Sequence, residues 1–535
     1  MPIRMEDDPQ GQQEQNNDYN NYPRGPRNTG GGGGGIFNLL PLLLSLFRGK
    51  GIFLLLVIVG GLYLLRGGCG GAGGGLLNNI AELTTGGFLD PKQFERANIY
   101  EPLAEDNSRN PLPESANLQR FAPQPGNQGK QGSCVAWSSA YAARTILESA
   151  RTGEQKQPFS PSFLYNQIGL QDCQGSYIIR AMEYMTKQGA VTYQEFPYDE
   201  TNCSRQPSMS LIQQASANKM RGFTRLSLGD RNDAIDIRAI KENLAQGAPV
   251  VIGMMVGQSF MQAMMGKDLW VPESQDKGMM GFGGHAMCVV GYDDRKYGGA
   301  FLLMNSWGPE WGQNGFAWVR YPEFNYFVRE AYGLEPMART GELAATLQCE
   351  IGLVQVSFDA NKNMVPGNYI GLRKVEENIY RTGDPIRAGT KFKVEVKNNN
   401  ECYIYIFGME TDGSAYTLFP YPKKDDPTKT KYSAFLGITG YRLFPRDKSL
   451  TADSIGSRDK IAIMVSRKEL DWNGIQANIN KQVRTLDWPV KLRAAIPGSA
   501  AKQVQFSATP KGNIGFTSQL SESEVVYCIV EFDKK

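Results

Sequence analysis

The sequence predicts an α+β protein: a two-lobed domain with a helical lobe and a β-rich lobe, followed by an antiparallel β-sandwich-like domain. Three observations lead to this prediction. An alanine-rich stretch with helical periodicity begins at Cys134, apolar strand-like runs surround the only histidine, and alternating strands fill residues 341–535. Upstream of these domains, the composition predicts a disordered N-terminus with one transmembrane helix.

The N-terminal tail, residues 1–35, is rich in Gln, Asn, Pro and Gly, and we expect no core there. Residues 36–66 form a predicted hydrophobic anchor, with the transmembrane helix at about 51–66. Its uncharged run spans about 21 Å at about 1.5 Å per residue, so flanking residues must extend it across a core of roughly 30 Å. Arg48 and Lys50 favour a cytoplasmic N-terminal side, so we expect the folded domains to face the periplasm or the cell exterior.

Other interpretations of this region remain open. Residues 36–47 alternatively form an interfacial helix or half of a hairpin, and residues 52–65 also fit a signal peptide whose cleavage gives a secreted protein. Cys69 is an alternative site of lipid attachment. Residues 67–115, dotted with proline and asparagine, are interpreted as a linker or a short propeptide.

The composition excludes several classes of function. Lys plus Arg total 57 and Asp plus Glu total 54, a balance that does not indicate a nucleic-acid partner. Eight cysteines without a C-x-x-C pair, and a single histidine, do not indicate a metal site. We expect no cofactor, and the oligomeric state stays open.

The only histidine, His285, must serve any chemistry that needs an imidazole. Cys134 lies more than a hundred residues upstream, at the predicted start of a helix. Free N–H groups and the macrodipole at that position favour a thiolate. The alternative is that Cys134 is a small buried apolar residue.

Three motifs resemble the papain family of cysteine peptidases: Gln128–Cys134, His285–Tyr292 and Asn305–Gly315, in that order. The family usually has a cysteine where this chain has Gln131 and an aromatic residue where it has Val135. These departures indicate a divergent, bacterial branch. The resemblance implies that residues 116–336 form a two-lobed domain that hydrolyses peptide bonds in protein or peptide substrates.

The roles of the family's residues are carried over as implications of the resemblance. Cys134 would be the nucleophile, His285 the general base and acid, and Asn305 the residue that orients the imidazole. Gln128 would form the oxyanion hole with the Cys134 N–H. Trp307 would cover the His285–Asn305 hydrogen bond.

The resemblance also implies a substrate cleft between the lobes and a disulfide between Cys173 and Cys203, with free thiols in a reducing compartment as the alternative. A second pair, Cys402 and Cys528, is a weaker candidate for a disulfide. For one expected cleft residue, Met254, core packing is the alternative interpretation. The expected substrate-binding residues are Gly175, Ser176, Tyr177, Met254, Gly283, Gly284 and Trp307.

The C-terminal residues 341–535 contain at least five strand-like runs and an Asp412-Gly413 turn between two of them. We find no catalytic constellation there, so structural attachment and partner binding are both open. For the whole chain, the expected activity is a membrane-tethered cysteine endopeptidase. The alternatives are a catalytically idle scaffold and a transferase that passes the acyl group to an amine.

Overall fold

The computed structural model describes residues 3–9, 85–106, 108–227, 235–279, 282–337, 346–521 and 523–535. The described helices are α1 Pro91–Phe94, α2 (α-helical Cys134–Ala136, π-helical Trp137–Arg144 and α-helical Thr145–Thr152), α3 Pro161–Ile168, α4 Ile178–Lys187, α5 Met209–Ala215, α6 Ile237–Ala245, α7 Gln258–Gln262, α8 Tyr321–Phe327, α9 Trp472–Lys481 and α10 Trp488–Ala495.

The described strands are β1 Ile3–Asp7, β2 Ser115–Asn117, β3 Phe223–Arg225, β4 Val250–Val256, β5 Gly283–Asp293, β6 Ala300–Met304, β7 Phe316–Arg320, β8 Val328–Leu334, β9 Leu347–Phe358, β10 Met364–Tyr369, β11 Leu372–Lys374, β12 Ile379–Thr382, β13 Lys391–Asn398, β14 Cys402–Met409, β15 Ala415–Phe419, β16 Phe435–Leu436, β17 Gly440–Phe444, β18 Lys448–Ala452, β19 Arg458–Ser466, β20 Ser499–Ala500, β21 Val504–Ala508, β22 Ile514–Ser518 and β23 Glu524–Asp533.

The first domain has a helical lobe built around α2 and a β lobe built on one sheet, in the order β3-β8-β4-β5-β6-β7 with β2 beside β5. The helical lobe begins its elements with local caps: Ser160 accepts a hydrogen bond from the Phe163 N–H at the start of α3, where Pro161 occupies the first turn. One apolar core runs through both lobes, and it contains α2 residues from Cys134 to Leu147. The predicted α+β architecture is confirmed here.

The C-terminal domain is a sandwich of two sheets, β1-β18-β13-β9-β22-β21 and β11-β12-β23-β19-β14-β15. Alternating residues of β14 explain the layers: Ile404 and Ile406 enter the core between the sheets, while Tyr405 and Phe407 enter a second core. The predicted β domain with its hairpin around Gly413 is confirmed.

Two features of this domain go beyond the sequence prediction. Helices α9 and α10 cover the outer face of the second sheet and complete the second core. The sheets are also not wholly antiparallel, because β12 and β20 both pair with β23 in parallel. Neither strand is joined to β23 by a hairpin, and only a hairpin would impose the antiparallel direction.

Part of the N-terminal tail corrects the prediction of disorder for residues 1–35. Ile3–Asp7 forms β1, which pairs antiparallel with β18, and Ile3 is buried in the sandwich core. Asp8 then contacts the Lys393 ammonium at 2.7 Å. Ile3 and Met5 alternate with charged residues, but this pattern is too short to predict a strand from the sequence alone.

The predicted anchor, residues 36–66, lies outside the described residues and stays a prediction. Among the helices of the described ranges, none combines the length and the hydropathy needed to cross a membrane. The predicted linker is partly described: residues 85–106 and 108–115 are packed against both domains and do not form a free connection.

Candidate active site

The two lobes meet where backbone pairing joins a loop before α2 to the loop after β6. The Gln128 N–H donates to the Ser306 carbonyl at 2.8 Å, and Asn127 forms a β-bridge with Trp307. Helix α2 starts at Cys134 because the Ser133 carbonyl accepts the N–H groups of Ala136 and Trp137. The pairing therefore brings the N-terminus of α2 against strand β5.

The histidine side chain is held on two sides. His285 Nε2 lies 2.7 Å from Asn305 Oδ1, and the Trp307 ring stacks on the imidazole with a centroid distance of 4.2 Å. All three side chains are buried. The amide oxygen accepts a hydrogen bond from an Nε2–H, which leaves Nδ1 as the basic nitrogen of the neutral ring.

The thiol lies beside the same strand. Cys134 Sγ accepts the N–H of Ala286 at 3.4 Å, which places it next to the backbone of His285. Burial raises the pKa of the Cys134 thiol to about 12 and lowers the pKa of His285 to about 4. With both groups buried in this way, the pair is a neutral thiol and a neutral imidazole at pH 7.

Gln128 is fixed by a residue that the sequence analysis did not single out. The Ser306 hydroxyl donates to Gln128 Oε1 at 2.7 Å, and Gln128 Nε2 donates to the Gln131 carbonyl at 3.0 Å. The hydroxyl thus sets which end of the amide faces the loop that leads to Cys134. The Asn305-Ser306 pair was visible in the sequence, but only the fold shows what the hydroxyl contacts.

We expect Gln128→Ala to lower kcat of peptide hydrolysis by about 10²–10³-fold with little change in KM, as loss of one oxyanion donor does elsewhere. Ser306→Ala should cost less than Gln128→Ala, because it only loosens the amide. Steady-state kinetics on both variants check this, each combined with Gly86→Ala because residues 85–89 cover Cys134. Ser138→Ala, whose hydroxyl donates to the Val135 carbonyl, is the control for loss of a buried hydroxyl. Equal kcat for Gln128→Ala and the parent would contradict the oxyanion role.

The cleft between the lobes is filled by the chain's own residues 85–89, which we call the blocking segment. The N–H groups of Gly86 and Gly87 donate to the Gly284 carbonyl at 3.3 and 3.0 Å. Ser176 donates its N–H to the Gly86 carbonyl at 2.9 Å and accepts that of Phe88 at 3.0 Å. The segment is therefore held by backbone pairing to both lobes.

Glycines make this pairing sterically feasible. A Cβ atom on Gly86 would lie 2.2 Å from the Gly132 carbonyl oxygen, and one on Gly175 would lie 2.2 Å from the Gly86 oxygen. A Cβ atom on Gly284 would lie 2.1 Å from the Gly87 oxygen. The passage beside Cys134 therefore admits only a bare backbone at these positions.

The blocking segment brings a backbone N–H group close to the thiol. The backbone N–H of Gly86, like that of Ala286, lowers the pKa of Cys134 against the larger opposing effect of burial.

The last residue of the blocking segment fills a small apolar seat. Leu89 is buried against Ile178, Gly253 and Gly284, and a Cβ atom on Gly253 would lie 2.4 Å from Leu89 Cδ2. Just beyond, the Asp90 N–H donates to the Glu330 carboxylate at 3.1 Å. Neither Gly253 nor Glu330 was singled out from the sequence.

The predicted substrate-binding residues divide into two groups. Gly175, Ser176, Gly283 and Gly284 lie along the blocking segment, where Thr85 approaches Gly283, and the Tyr177 ring contacts Phe88 at 5.7 Å. Trp307 lies over the imidazole.

Met254 is the exception, and its placement in the pocket was wrong. The side chain is fully buried in the core, as the alternative interpretation stated. Neighbouring strand residues point to opposite faces, so Gly253 takes the place beside the cleft.

The disulfide between Cys173 and Cys203 is present, with a Cα–Cα distance of 6.0 Å, and this prediction is confirmed. The weaker candidate pair is wrong, because Cys402 and Cys528 are both free and buried in the sandwich core. The bonded pair fixes the turn that leads into Ser176.

We expect loss of the Cys173–Cys203 disulfide to destabilise the first domain by about 3 kcal/mol, given the length of the loop it closes. Cys203→Ser should lower the free energy of unfolding measured without reductant, and with reductant its value should match that of the parent. The parent should change on reduction, whereas the variant should not. If the unfolding midpoint of the parent is the same with and without reductant, the expectation is contradicted.

The fold has two lobes, and a thiol, an imidazole and an amide meet at their junction. These features are characteristic of enzymes that use a cysteine nucleophile. Residues 113–333 match the family model described as papain family cysteine protease, and residues 386–469 match a domain of unknown function, DUF4384. The chain therefore carries a papain-family cysteine protease domain.

Several known proteins are similar to this domain. An uncharacterized peptidase C1-like protein of Acanthamoeba polyphaga mimivirus is 30% identical over 201 residues, which cover 36% of this chain and 62% of that protein. Cathepsin K of Mus musculus is 26% identical over 243 residues, covering 44% of this chain and 68% of that protein. The solved structure of xylellain, a cysteine protease from Xylella fastidiosa, matches with a TM-score of 0.38 at 24% identity, over 45% of this chain and 92% of that one.

Proposed function

We propose that the chain is a cysteine endopeptidase that hydrolyses peptide bonds in proteins or peptides. The observation that supports this most is the placement of Cys134, His285 and Asn305 at the junction of the lobes. The Cys134 sulfur attacks the substrate carbonyl carbon while His285 takes the thiol proton. The resulting oxyanion is stabilised by the Gln128 amide and the Cys134 N–H.

The rest of the cycle returns the protein to its starting state. His285 gives its proton to the leaving amine, so that an acyl group stays bonded to the sulfur. A water molecule then attacks the acyl carbon as His285 removes one of its protons. The acid leaves and Cys134 regains its proton. Asn305 keeps the imidazole oriented throughout, and Trp307 keeps water from their hydrogen bond.

We propose that the described arrangement is a latent form, in which residues 67–115 act as a propeptide. Two observations support this. The blocking segment covers Cys134, which is fully buried, and it presents an N–H group to the sulfur. Substrate and blocking segment would compete for the same backbone partners, Ser176 and Gly284.

The decisive experiment is capture of the acyl-enzyme. The full chain carrying Gly86→Ala, to displace the blocking segment, is mixed with an activated ester of a short acylated peptide and quenched in acid. Mass spectrometry should find the acyl group on Cys134 and its loss on longer incubation. No acyl group on the folded protein would favour an idle scaffold, while transfer to an added amine in preference to water would indicate a transferase.

The seat of Leu89 predicts a substrate preference. In the Gly86→Ala chain, a peptide library should show a preference for leucine over alanine of about ten- to fifty-fold at one position, because the three extra carbons are buried at about 0.8 kcal/mol each. Gly253→Val should abolish this preference, since its side chain fills the seat. Leucine preference that survives Gly253→Val would show that substrates use another pocket.

We also propose that the protein is tethered to a membrane through residues 51–66, with the protease domain on the periplasmic or extracellular side. The uncharged run and the preceding Arg48 and Lys50 support the tether. The Cys173–Cys203 disulfide supports an oxidising compartment.

A further inference from the structure

The chain that follows the blocking segment runs between the two domains, and one residue pairs with both. Ile99 donates its N–H to the Lys431 carbonyl at 2.9 Å and accepts that of Ser433 at 3.2 Å, in the C-terminal domain. Its neighbours pair with β3 on the other side: Arg225 donates to the Asn98 carbonyl and accepts the Tyr100 N–H. Residues 98–106 and 108–110, which we call the seam, thus begin as a strand shared by both domains.

Side chains of the seam enter both cores. Ile99 is buried in the core of the C-terminal sandwich, whereas Tyr100 and Leu103 are buried in the core of the protease domain. The Tyr100 hydroxyl donates to the buried Glu242 carboxylate at 3.1 Å, and the Leu103 N–H donates to the same carboxylate at 3.3 Å. The alternation of side chains along a strand explains why Ile99 and the next residue, Tyr100, enter different cores.

The C-terminal domain contacts the seam a second time through β17. Ala104 donates its N–H to the Tyr441 carbonyl at 2.8 Å, and the Tyr441 N–H donates to Asn110 Oδ1 at 2.9 Å. Fully buried Arg442 donates from Nε to the Glu101 carbonyl at 3.1 Å. These bonds come from strand residues already fixed by pairing of β17 with β13, so their geometry is rigid.

An ion pair closes the end of the seam. The Arg109 guanidinium lies 2.6 Å from the Glu395 carboxylate and 3.8 Å over the Tyr441 ring. Upstream of the blocking segment, Ile3–Asp7 also belongs to this domain, because β1 pairs with β18. The described residues on both sides of the blocking segment are therefore held by the C-terminal domain.

We propose that the C-terminal domain retains the blocking segment in the cleft, so that cutting the chain after the seam does not open the active site. The inference rests on the proposed function and concerns its regulation. A protease can reach residues 111–114, which are mostly exposed, because cleavage favours exposed connections. After such a cut the seam still pairs with both domains, and its contacts with β17 and residues 431–433 keep the blocking segment in place.

The test uses the full chain with a recognition sequence for a site-specific protease inserted between Pro111 and Leu112. After cutting, gel filtration follows the N-terminal fragment, and a peptidyl epoxide reports access to Cys134. We expect the fragment of the parent to co-elute with the rest and labelling to stay within about twofold of the uncut chain, as for a segment held by a folded core. Cut Ile99→Ala, which loses a core side chain of the seam, should label about tenfold or more faster.

Two further variants keep the result interpretable. Arg109→Ala removes the partly exposed ion pair and should also speed labelling after the cut, even where Ile99→Ala does not fold. Lys92→Ala, an exposed change between the blocking segment and the seam, should behave as the parent. Loss of the fragment from the cut parent, or equal labelling of cut parent and cut seam variants, would overturn the proposal.

The control that separates this proposal from the proposed function is Gly86→Ala, which opens the cleft without touching the seam. If Gly86→Ala labels and the cut seam variants do not, retention by the C-terminal domain is wrong while the activity stands. If no variant labels, including Gly86→Ala, the proposed function itself is wrong.

Discussion

Cys134→Ala should lower kcat/KM of peptide hydrolysis by about 10⁴–10⁶-fold, the range seen when an enzyme of this mechanistic type loses its nucleophile. The comparison is made in the Gly86→Ala background, so that the blocking segment does not mask the loss. The sulfur is the only group at the lobe junction that is placed to form the acyl bond, within the residues that the structure describes. Residual turnover would come from the oxyanion site and from substrate binding alone.

A second buried cysteine supplies the matched control. Cys288 lies on the same strand as His285, is free and fully buried, and has its thiol pKa raised by burial alone. Cys288→Ala removes the same atoms without removing a reacting group, and we expect activity within a few fold of the parent. Equal losses for both alanine variants would show that a thiol deletion harms folding and would contradict the assigned role.

Residues whose chemistry is rare in the chain were the ones that the sequence could identify. The single histidine left one choice of imidazole, and three ordered motifs supplied the partners around it. The structure brings His285, Asn305 and Trp307 into contact and places Cys134 against β5. The roles of these residues in catalysis stay predictions until the kinetics are measured.

The sequence analysis missed features that depend on which face of a strand a residue occupies, or on which other strand it pairs with. Met254 and Gly253 are adjacent on β4, and an unbroken apolar run gives no alternation to say which one faces the cleft. The sequence of β1 alone is too short to predict a strand, and its pairing with β18 is visible only in the structure. Gly86 and Gly87 follow a glycine-rich stretch, and the sequence does not distinguish them from it. In the structure, a side chain at Gly86 would not fit in the cleft.

The blocking segment connects this missed feature with the chemistry of the thiol. Burial raises the Cys134 pKa and lowers the His285 pKa, so both shifts oppose the thiolate–imidazolium pair, and the blocking segment is part of the surroundings that bury Cys134. Covering the cleft therefore inactivates the site twice, by excluding substrate and by keeping the proton on the sulfur. A single change that displaces the segment should reverse both effects.

Gly86→Ala should increase the labelling of Cys134 by a peptidyl epoxide by about ten- to a hundredfold in the full chain. The added Cβ atom would lie 2.2 Å from the Gly132 carbonyl oxygen, and Gly132 is itself packed against the Gln174 backbone, so neither can yield. Overpacking of this kind costs about 1–3 kcal/mol, which shifts the equilibrium between closed and open cleft by the stated factor. Gly278→Ala is the matched control, because nothing lies within 4 Å of a Cβ atom there.

The same variant should move the pH dependence of thiol alkylation. With a pKa of about 12, the closed parent holds about 10⁻⁵ of Cys134 as thiolate at pH 7, so its rate with iodoacetamide should keep rising into the alkaline range. In Gly86→Ala, hydration of the cleft lowers the Cys134 pKa and raises that of His285, and the midpoint should move to lower pH. Identical profiles for parent, Gly86→Ala and Gly278→Ala would show that the blocking segment does not control the ionisation of the thiol.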